Sequence, residues 1–482
     1  MVLSLENNGF KAIFYGTIRA ENIIQVGDKL FNSKDHTQSG YEFVYINDLV
    51  PEDHLLRKID KYIDFSFIRE KVRPYYCMDN GRPSVDPMVL FKMIFLGYLY
   101  GIRSERQLEL EVKTNIAYRW FLGLKLTDPV PDHSTISYNR HKRFQETEIF
   151  QEIFDEIVFQ AIKLKMVAGR VLFTDSTHIK ANANKKKFNR KIVRKTTKRY
   201  LETLDAAIEE DRRQHGKKSL KVRKQSPEEN ETKEIKESTT DPESGYMFRT
   251  GKPEGFFYLD HRTVDFKYNI ITDVHITPGN VHDSLPYLER LDAQIEKFKF
   301  NVEAVAVDSG YLTTHICKEL QDRKIFAVIG HRRFHPTKGL FSKFKFLYDK
   351  VKDEYSCPNK QILKYRTTNR DGYREYISES KICAECPLLS QCTRSKNHQK
   401  VITRHVWEDS KEWVHKNTLS KSGKMLYKKR KETIERSFAD AKQLHGYRYC
   451  RFRGKKYALE QALMTATCQN MKKIANHLAK IA

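Results

Sequence analysis

Two aspartates each end an apolar run: Asp175 in VLFTDST and Asp308 in AVAVDSG. Runs of this kind read as buried strands, and strand ends are where α/β sheets bind ligands. Each carboxylate is therefore expected on a rigid element beside core of low dielectric. One such Asp is often only a cap or turn former. Two in the same context can be aimed at one point if their strands are neighbours. Periodicity supplies a third acid. At about 100° per residue along YKKRKETIERSFADAKQLHG, Tyr427, Ile434, Phe438 and Ala441 share one stripe. Glu435 flanks that stripe with Lys442 beside it, whereas Glu432 and Asp440 point away. The plainer reading of Glu435 alone is a neighbour of surface lysines on a solvated helix. Three carboxylates in a basic chain suit one chemistry. Mg²⁺ takes oxygen ligands, and a pair of such ions clamps the attacking and leaving oxygens of a phosphodiester displacement.

A second cluster is built from thiols. Cys357, Cys383, Cys386 and Cys392 fall within about 35 residues, and Cys383-Ala-Glu-Cys386 is a CxxC turn. Thiolates at such a turn can share one tetrahedral Zn²⁺. The competing readings are a redox CxxC and plain buried thiols. Cys77, Cys317, Cys450 and Cys468 lie in or near apolar segments and are expected in the core.

Charge says what these groups would meet. The 482 residues carry 87 Lys and Arg against 62 Asp and Glu, a net charge of +25, which points to a polyanion, above all nucleic acid. Hydrophobic residues make up 39%, enough for sizeable cores, so wholesale disorder is excluded. Two basic runs stand out. Arg140, His141, Lys142 and Arg143 sit on a candidate recognition helix. Lys185, Lys186, Lys187, Arg190 and Lys191 follow directly on the Asp175 strand and are expected to track DNA backbone. Both runs have a plainer reading as solvated or packing helix faces. The longest apolar stretch, 88–102, is interrupted by Lys92 and too short to span a bilayer. The first ten residues lack the charge and apolar pattern of a secretory signal, so a cytoplasmic protein is expected.

The elements that must position these groups follow from local signals. Residues 1–50 read as short strands and turns. Residues 51–167 read as a helical, DNA-binding domain with a helix-turn-helix element. Asp86-Pro87 is a capped start, Ser104–Gln107 a capping box, and the helix it opens is expected to continue past Ile116 to Trp120. From 168 to 345 strands alternate with helices, which argues an α/β sheet with a parallel part. A charged insertion, 185–245, interrupts it, helical in its first half and linker in its second. The Cys-bearing insertion spans 346–415. Residues 416–482 close the chain with two helices, about 424–445 and 459–481.

The motifs TDSTHIKANANKKK, TPGNVHDS, AVAVDSGY and RKETIERSFADAKQLHGYRYCRFRG resemble the DDE transposases of bacterial insertion sequences. GRPSVDPMVLFKMIFLGYLYGIRSERQLELEVKTNIAYRWFLGL and PDHSTIS resemble the same proteins' N-terminal region. The resemblance runs from about residue 60 to the C-terminus and is nearest to the subgroup with a Cys-rich insertion before the last catalytic helix. It implies an RNase H-like mixed sheet, with Asp175 as first acid, Asp308 as second and Glu435 as third. It also implies Mg²⁺ or Mn²⁺, double-stranded DNA as terminal inverted repeats and target, and a homodimer or higher assembly associated with the nucleoid. The family's Lys seven residues after the Glu is matched by Lys442. Its Arg four residues before the Glu, and Tyr three before that, fall here on Lys431 and Lys428, with Arg430 and Tyr427 one residue off. The basic role is thus expected at Lys431 or Arg430, Lys431 and Lys442 are expected at DNA phosphates, and Asp283 is a reserve ligand. The implied function is cleavage and strand transfer. The rivals are an RNase H-like nuclease without strand transfer and a non-catalytic, DNA-binding transposase remnant.

Overall fold

The computed structural model describes residues 43–77, 84–194, 201–220, 232–248, 251, 253–331 and 337–481. Most of the strands expected in residues 1–50 lie outside the described residues. No described helix is long and apolar enough to cross a membrane.

Seven helices precede the first described strand: α1 (Leu55–Tyr62), α2 (Phe67–Val72), α3 (Pro87–Leu99), α4 (Glu105–Thr114), α5 (Ile116–Leu122), α6 (His133–Tyr138) and α7 (Ile149–Lys163). Their starts are capped where the sequence signals it. Asp86 accepts from the Met88 amide with Pro87 in the first turn, and Ser104 accepts from the Gln107 amide. The helix expected to run to Trp120 breaks at Asn115. That residue is extended, and its side chain caps α5 by accepting from the Tyr118 amide. Asn competes well at caps and poorly inside helices, so the break has a local cause.

The central sheet is built from β1 (Val171–Lys180), β4 (Gly245–Met247), β5 (Gly255–Asp265), β6 (Ile271–Pro278), β7 (Ala304–Val307) and β8 (Phe326–Ile329). Between its first members lie β2 (Phe188–Arg194), α8 (Leu201–Gln214) and β3 (Thr232–Ser238). Strand β1 pairs antiparallel with β5 and parallel with β7, and β7 pairs parallel with β8. Strand β6 and the short β4 share the other edge of β5. Helices α9 (Tyr287–Phe298) and α10 (Thr314–Asp322) connect these strands. Leu172, Tyr287, Leu291, Val305, Ile316 and Leu320 form the core on that side.

The basic run after β1 is not helical as expected. Phe188–Arg194 is strand β2, paired with β3 out of the segment expected to be linker. Diagonal ion pairs tie the two strands: Arg190 bridges Glu234 at 3.1 Å and Lys191 bridges Glu237 at 2.7 Å.

The Cys-bearing insertion is a small antiparallel sheet, β9 (Leu347–Asp349), β10 (Glu354–Ser356), β11 (Ile362–Thr368), β12 (Tyr373–Ile377) and β13 (Val401–His405). Short helices α11 (Ser380–Ala384) and α12 (Leu389–Cys392) lie between β12 and β13. It has a core of its own from Phe346, Tyr355, Leu363, Tyr376 and Ile402. Asp211 of α8 anchors on it, paired with Arg374 and accepting from the Thr368 hydroxyl.

After α13 (Glu408–Leu419), the chain forms α14 (Lys421–Arg430), a π-turn Lys431–Glu435, α15 (Arg436–Leu444) and α16 (Lys455–Ile481). Helix α16 is buried on every side from Glu460 to Met471, polar residues included, and packs against α1, α3, α7 and β6. Its Asn470 brackets Ile271, accepting from its amide at 2.9 Å and donating to its carbonyl at 2.8 Å. Leu90, Phe95, Ile153, Ile276, Phe438, Leu463 and Met471 therefore belong to one core. The N-terminal helices, expected to stand as their own domain, share that core with the sheet and the last helix.

Candidate active site

The two aspartates come together because their strands are neighbours. In the parallel β1–β7 pair Thr174 is in register with Val307, so Asp308 follows just past the end of β7 beside Asp175, which is not at a strand end as expected but midway along β1, where the pairing with β7 stops and that with β5 continues. Asp308 caps a 3₁₀ turn, accepting from the Gly310 amide at 2.6 Å. Asp283 arrives from the loop after β6. Its Oδ1 accepts from the Ser176 hydroxyl at 2.8 Å, and its Oδ2 and Asp308 Oδ1 crowd the same side of Gly310. The reserve ligand thus belongs to the acid cluster.

The last helices cross the Asp175 face of β1. Leu426 and Tyr427 pack on Phe173. Arg430 Nη2 donates to Asp175 Oδ2 at 2.7 Å, and Lys442 Nζ donates to Thr177 Oγ1 at 2.5 Å. Phe173, Asp175 and Thr177 alternate along the strand and so share that face. Gly330, just past β8, leaves room for the crossing: a Cβ there would lie 2.5 Å from Tyr427 Oη and 2.9 Å from the Ser309 amide.

The π-turn resolves the spacing that did not fit from sequence. A π-turn closes over five residues instead of four, so it absorbs one extra residue per turn. Here it spans Lys431–Glu435, and Arg430 stands one such turn before Glu435, with Tyr427 three residues earlier. Arg430, only 3% exposed, is the cation bonded to Asp175; Lys431 is exposed, its ammonium 5.3 Å from the Tyr427 ring centroid. Helical-wheel reasoning at a uniform angle could not find Arg430. An aromatic and an arginine each displaced by one residue was the available signal.

Glu435 ends the π-turn, which packs on β1 and β5 between the anchors Arg430 and Lys442. Its side chain is exposed. Glu432 is exposed too, 3.9 Å from Lys429 on its own helix. Asp175, Asp308 and Glu435 do not draw three carboxylate oxygens within 4.8 Å of one another; among the described residues that criterion is met by Glu109, Asp132 and His133, on and beside α4 and α6.

Electrostatics mark the cluster as short of positive charge. Burial pushes the Asp175 carboxyl up to about 6; Arg430 draws it down, and Asp308 and Asp283 push it up again. Beneath the acids Tyr311 is fully buried, with no hydrogen-bond partner for its hydroxyl. Carboxylates from three segments, incompletely neutralised and all oxygen donors, fit a divalent cation of the Mg²⁺ class.

The four thiols face one small cavity, shared with Gln361, Leu363 and Ser378. Cys357 Sγ accepts from the Gln361 amide at 3.3 Å and Cys386 Sγ from Asn359 Nδ2 at 3.5 Å. Burial pushes the Cys392 thiol up, and the other three thiols push it the same way. Convergent sulfurs receiving N–H donors fit a Zn²⁺ site in donor type, although no three of them lie within 4.8 Å of one another.

The expected recognition helix is differently placed. Arg140 is buried, bonded to Glu460 at 2.5 Å and paired with Glu105. His141 bonds the Tyr457 hydroxyl, and Arg143 donates to Asn139 and lies over the Tyr76 ring. Lys142 remains exposed. The expectation that Arg140 touches DNA is corrected on this ground: Arg140 lies on a π-turn, Asn139–Arg143, that follows α6, and its guanidinium joins this turn to α4 and α16 in the interior. Lys185, Lys186 and Arg190 are exposed, Arg190 in its pair with Glu234.

Residues 44–142 match the family model described as Transposase domain (DUF772), and residues 356–475 match that described as Transposase DDE domain. The first covers the helices around α3 and α4. The second holds the four cysteines, Arg430, Glu435 and Lys442, while Asp175 and Asp308 lie between the two. No curated protein matches the chain.

Proposed function

The chain belongs to the DDE-type transposases of insertion elements, and on that premise we propose that it binds the terminal inverted repeats of its element, cuts at their ends, and joins the freed 3′ hydroxyls to target DNA. The reading is carried by one juxtaposition: Asp175 midway along β1 beside Asp308 just past the end of β7, with Arg430 and Lys442 fastening the last helices across β1. A mixed sheet with one acid midway along β1, one just past the end of β7 and one on the closing helices supports an RNase H-like core.

Asp175, Asp308 and Glu435 are the catalytic acids in this reading, with Asp283 beside them, and together they hold Mg²⁺ or Mn²⁺. Bound there, divalent ions neutralise phosphate oxygens and stabilise the charge of an in-line displacement. Arg430 fixes the Asp175 carboxylate, and its bond to Oδ2 leaves Oδ1 on the Ser176 amide side. Lys442, held at Thr177, brings a cation beside the path of the DNA. Glu435, on the exposed side, completes the set when DNA and metal are present. Lys142, Lys185 and Lys186 supply phosphate contacts, with Lys431 at the mouth of the site. The four cysteines hold one structural Zn²⁺ that pins α11 and α12 to the small sheet. Two ends must be joined, so the working form is a dimer or higher assembly.

The test is a supercoiled plasmid carrying both flanks of the element, incubated with the full chain and Mg²⁺. Cleavage at the repeat ends followed by joined products supports the reading. Cleavage without joining would favour the nuclease, and binding without cleavage the regulator.

A further inference from the structure

A cavity of about 560 Å³ lies away from the acids, where β1 runs out. Arg103, Lys187, Arg451 and Arg453 line it together with Asn182 and Tyr449. No carboxylate lies among its lining residues. Four segments meet there: the loop after α3, the continuation of β1, the charged insertion and the loop between α15 and α16. Backbone bonds make the meeting rigid. Lys180 N donates to Arg448 O at 3.2 Å, and Cys450 N donates to Lys180 O at 2.8 Å. Tyr449 is 44% exposed, its ring centroid 5.3 Å from the Arg103 guanidinium and 5.5 Å from the Lys180 ammonium. Arg451 is fastened to the Gly97 carbonyl and lies 4.0 Å from the Tyr98 ring centroid, while its buried Nε has no hydrogen-bond partner.

We propose that this cavity is a second DNA subsite, which seats a phosphodiester and sugar of the strand running from the acids, with Tyr449 against the sugar or base and Arg103, Lys187 and Arg453 around the phosphate. Cations on a cavity wall that carries no carboxylate attract an anion, and the exposed ring suits a ligand with a flat or apolar part, as a nucleotide has. The distance sets the register. From Asp175 to Ala181 an extended strand covers about 20 Å at about 3.3 Å per residue. Duplex DNA advances about 3.4 Å per base pair, so the seated phosphate is about six nucleotides from the cleaved bond.

The proposal rests on the transposase reading, and the experiment separates the two. The full chain is bound to a duplex bearing the element's end, with neutral methylphosphonates placed singly along each strand. For the wild-type chain, a neutral linkage about six nucleotides from the cleavage point should weaken binding about tenfold, as expected for loss of one charge-assisted contact. Arg103→Ala with Arg453→Ala should bind unmodified DNA about tenfold more weakly and lose nothing further at that linkage. Lys187→Gln, on an exposed side chain, gives an independent second readout of the same kind. Equal losses at that linkage in wild-type and variant chains, or variants that bind as the wild type does, would overturn the subsite. A wild-type chain that neither binds nor cuts the ends would overturn the transposase reading itself.

Discussion

Removing Arg430 should expose how the site is held together. Arg430 is 3% exposed and Asp175 18%, and their bond is 2.7 Å long. With the arginine in place, burial already holds the Asp175 carboxyl at about 6, above its usual 3.8. Ionised Asp175 therefore costs stability. The cost is complete above about 6 and is relieved as pH falls through that value towards 3.8, because the folded state binds the proton more tightly. Arg430→Met removes the main influence lowering that carboxyl. An opposite charge at this range moves a carboxylate by about one to three pK units, each about 1.4 kcal/mol. With two as a working figure, the variant should lose about 2–3 kcal/mol more stability at about pH 8 than at about pH 5. Urea denaturation in chelator at the two pH values measures this. Adding Asp175→Asn to Arg430→Met should remove most of the pH-dependent part. A loss of the same size at both pH values, or unchanged by the second substitution, would refute the claim that Arg430 acts through the Asp175 charge.

Arg140→Met should destabilise the fold by about 3 kcal/mol, because it leaves Glu105 and Glu460 paired with nothing, and this should show in thermal unfolding without any change in preference between DNA sequences. Purification without chelator should give about one zinc per chain by elemental analysis. Cys383→Ser should lose that zinc and open the 346–415 segment to protease while the β1 and β7 region stays protected; zinc that survives loss of all four cysteines would place it elsewhere. Neutralising Lys185 and Lys186 should weaken binding about equally for all DNA sequences and flatten the salt dependence by about 1–2 in slope. Adding Arg190, already engaged by Glu234, should change it little.

Much of the site was legible because an apolar run closing on an acid stands out, although only Asp308 proved to follow a strand end and Asp175 lies midway along β1. An apolar run closing on an acid, twice, gave Asp175 and Asp308, and their convergence needed only that β1 and β7 be neighbours. Caps at Asp86 and Ser104 were equally local. What was hidden depended on partners far along the chain. Nothing near Arg140 says that Glu460 will bury it, 320 residues away. The β2–β3 ribbon was hidden because its alternation is written in charge: FNRKIVR reads as a basic helix until TKEIKES is set against it. The π-turn was hidden because a wheel assumes one uniform angle, and the extra residue shows only as Arg430 and Tyr427 standing one place early.

The acids decide the account. Asp175→Ala, Asp308→Ala and Glu435→Ala are each assayed for plasmid cleavage in Mg²⁺ and, in parallel, for binding to the element's ends, with Glu432→Ala as the neighbouring control. The expected result is loss of cleavage by about a hundredfold or more in each of the three, with binding within about twofold of wild type and Glu432→Ala close to normal. Cleavage retained by Glu435→Ala and lost by Glu432→Ala, or retained by either aspartate variant, would contradict it.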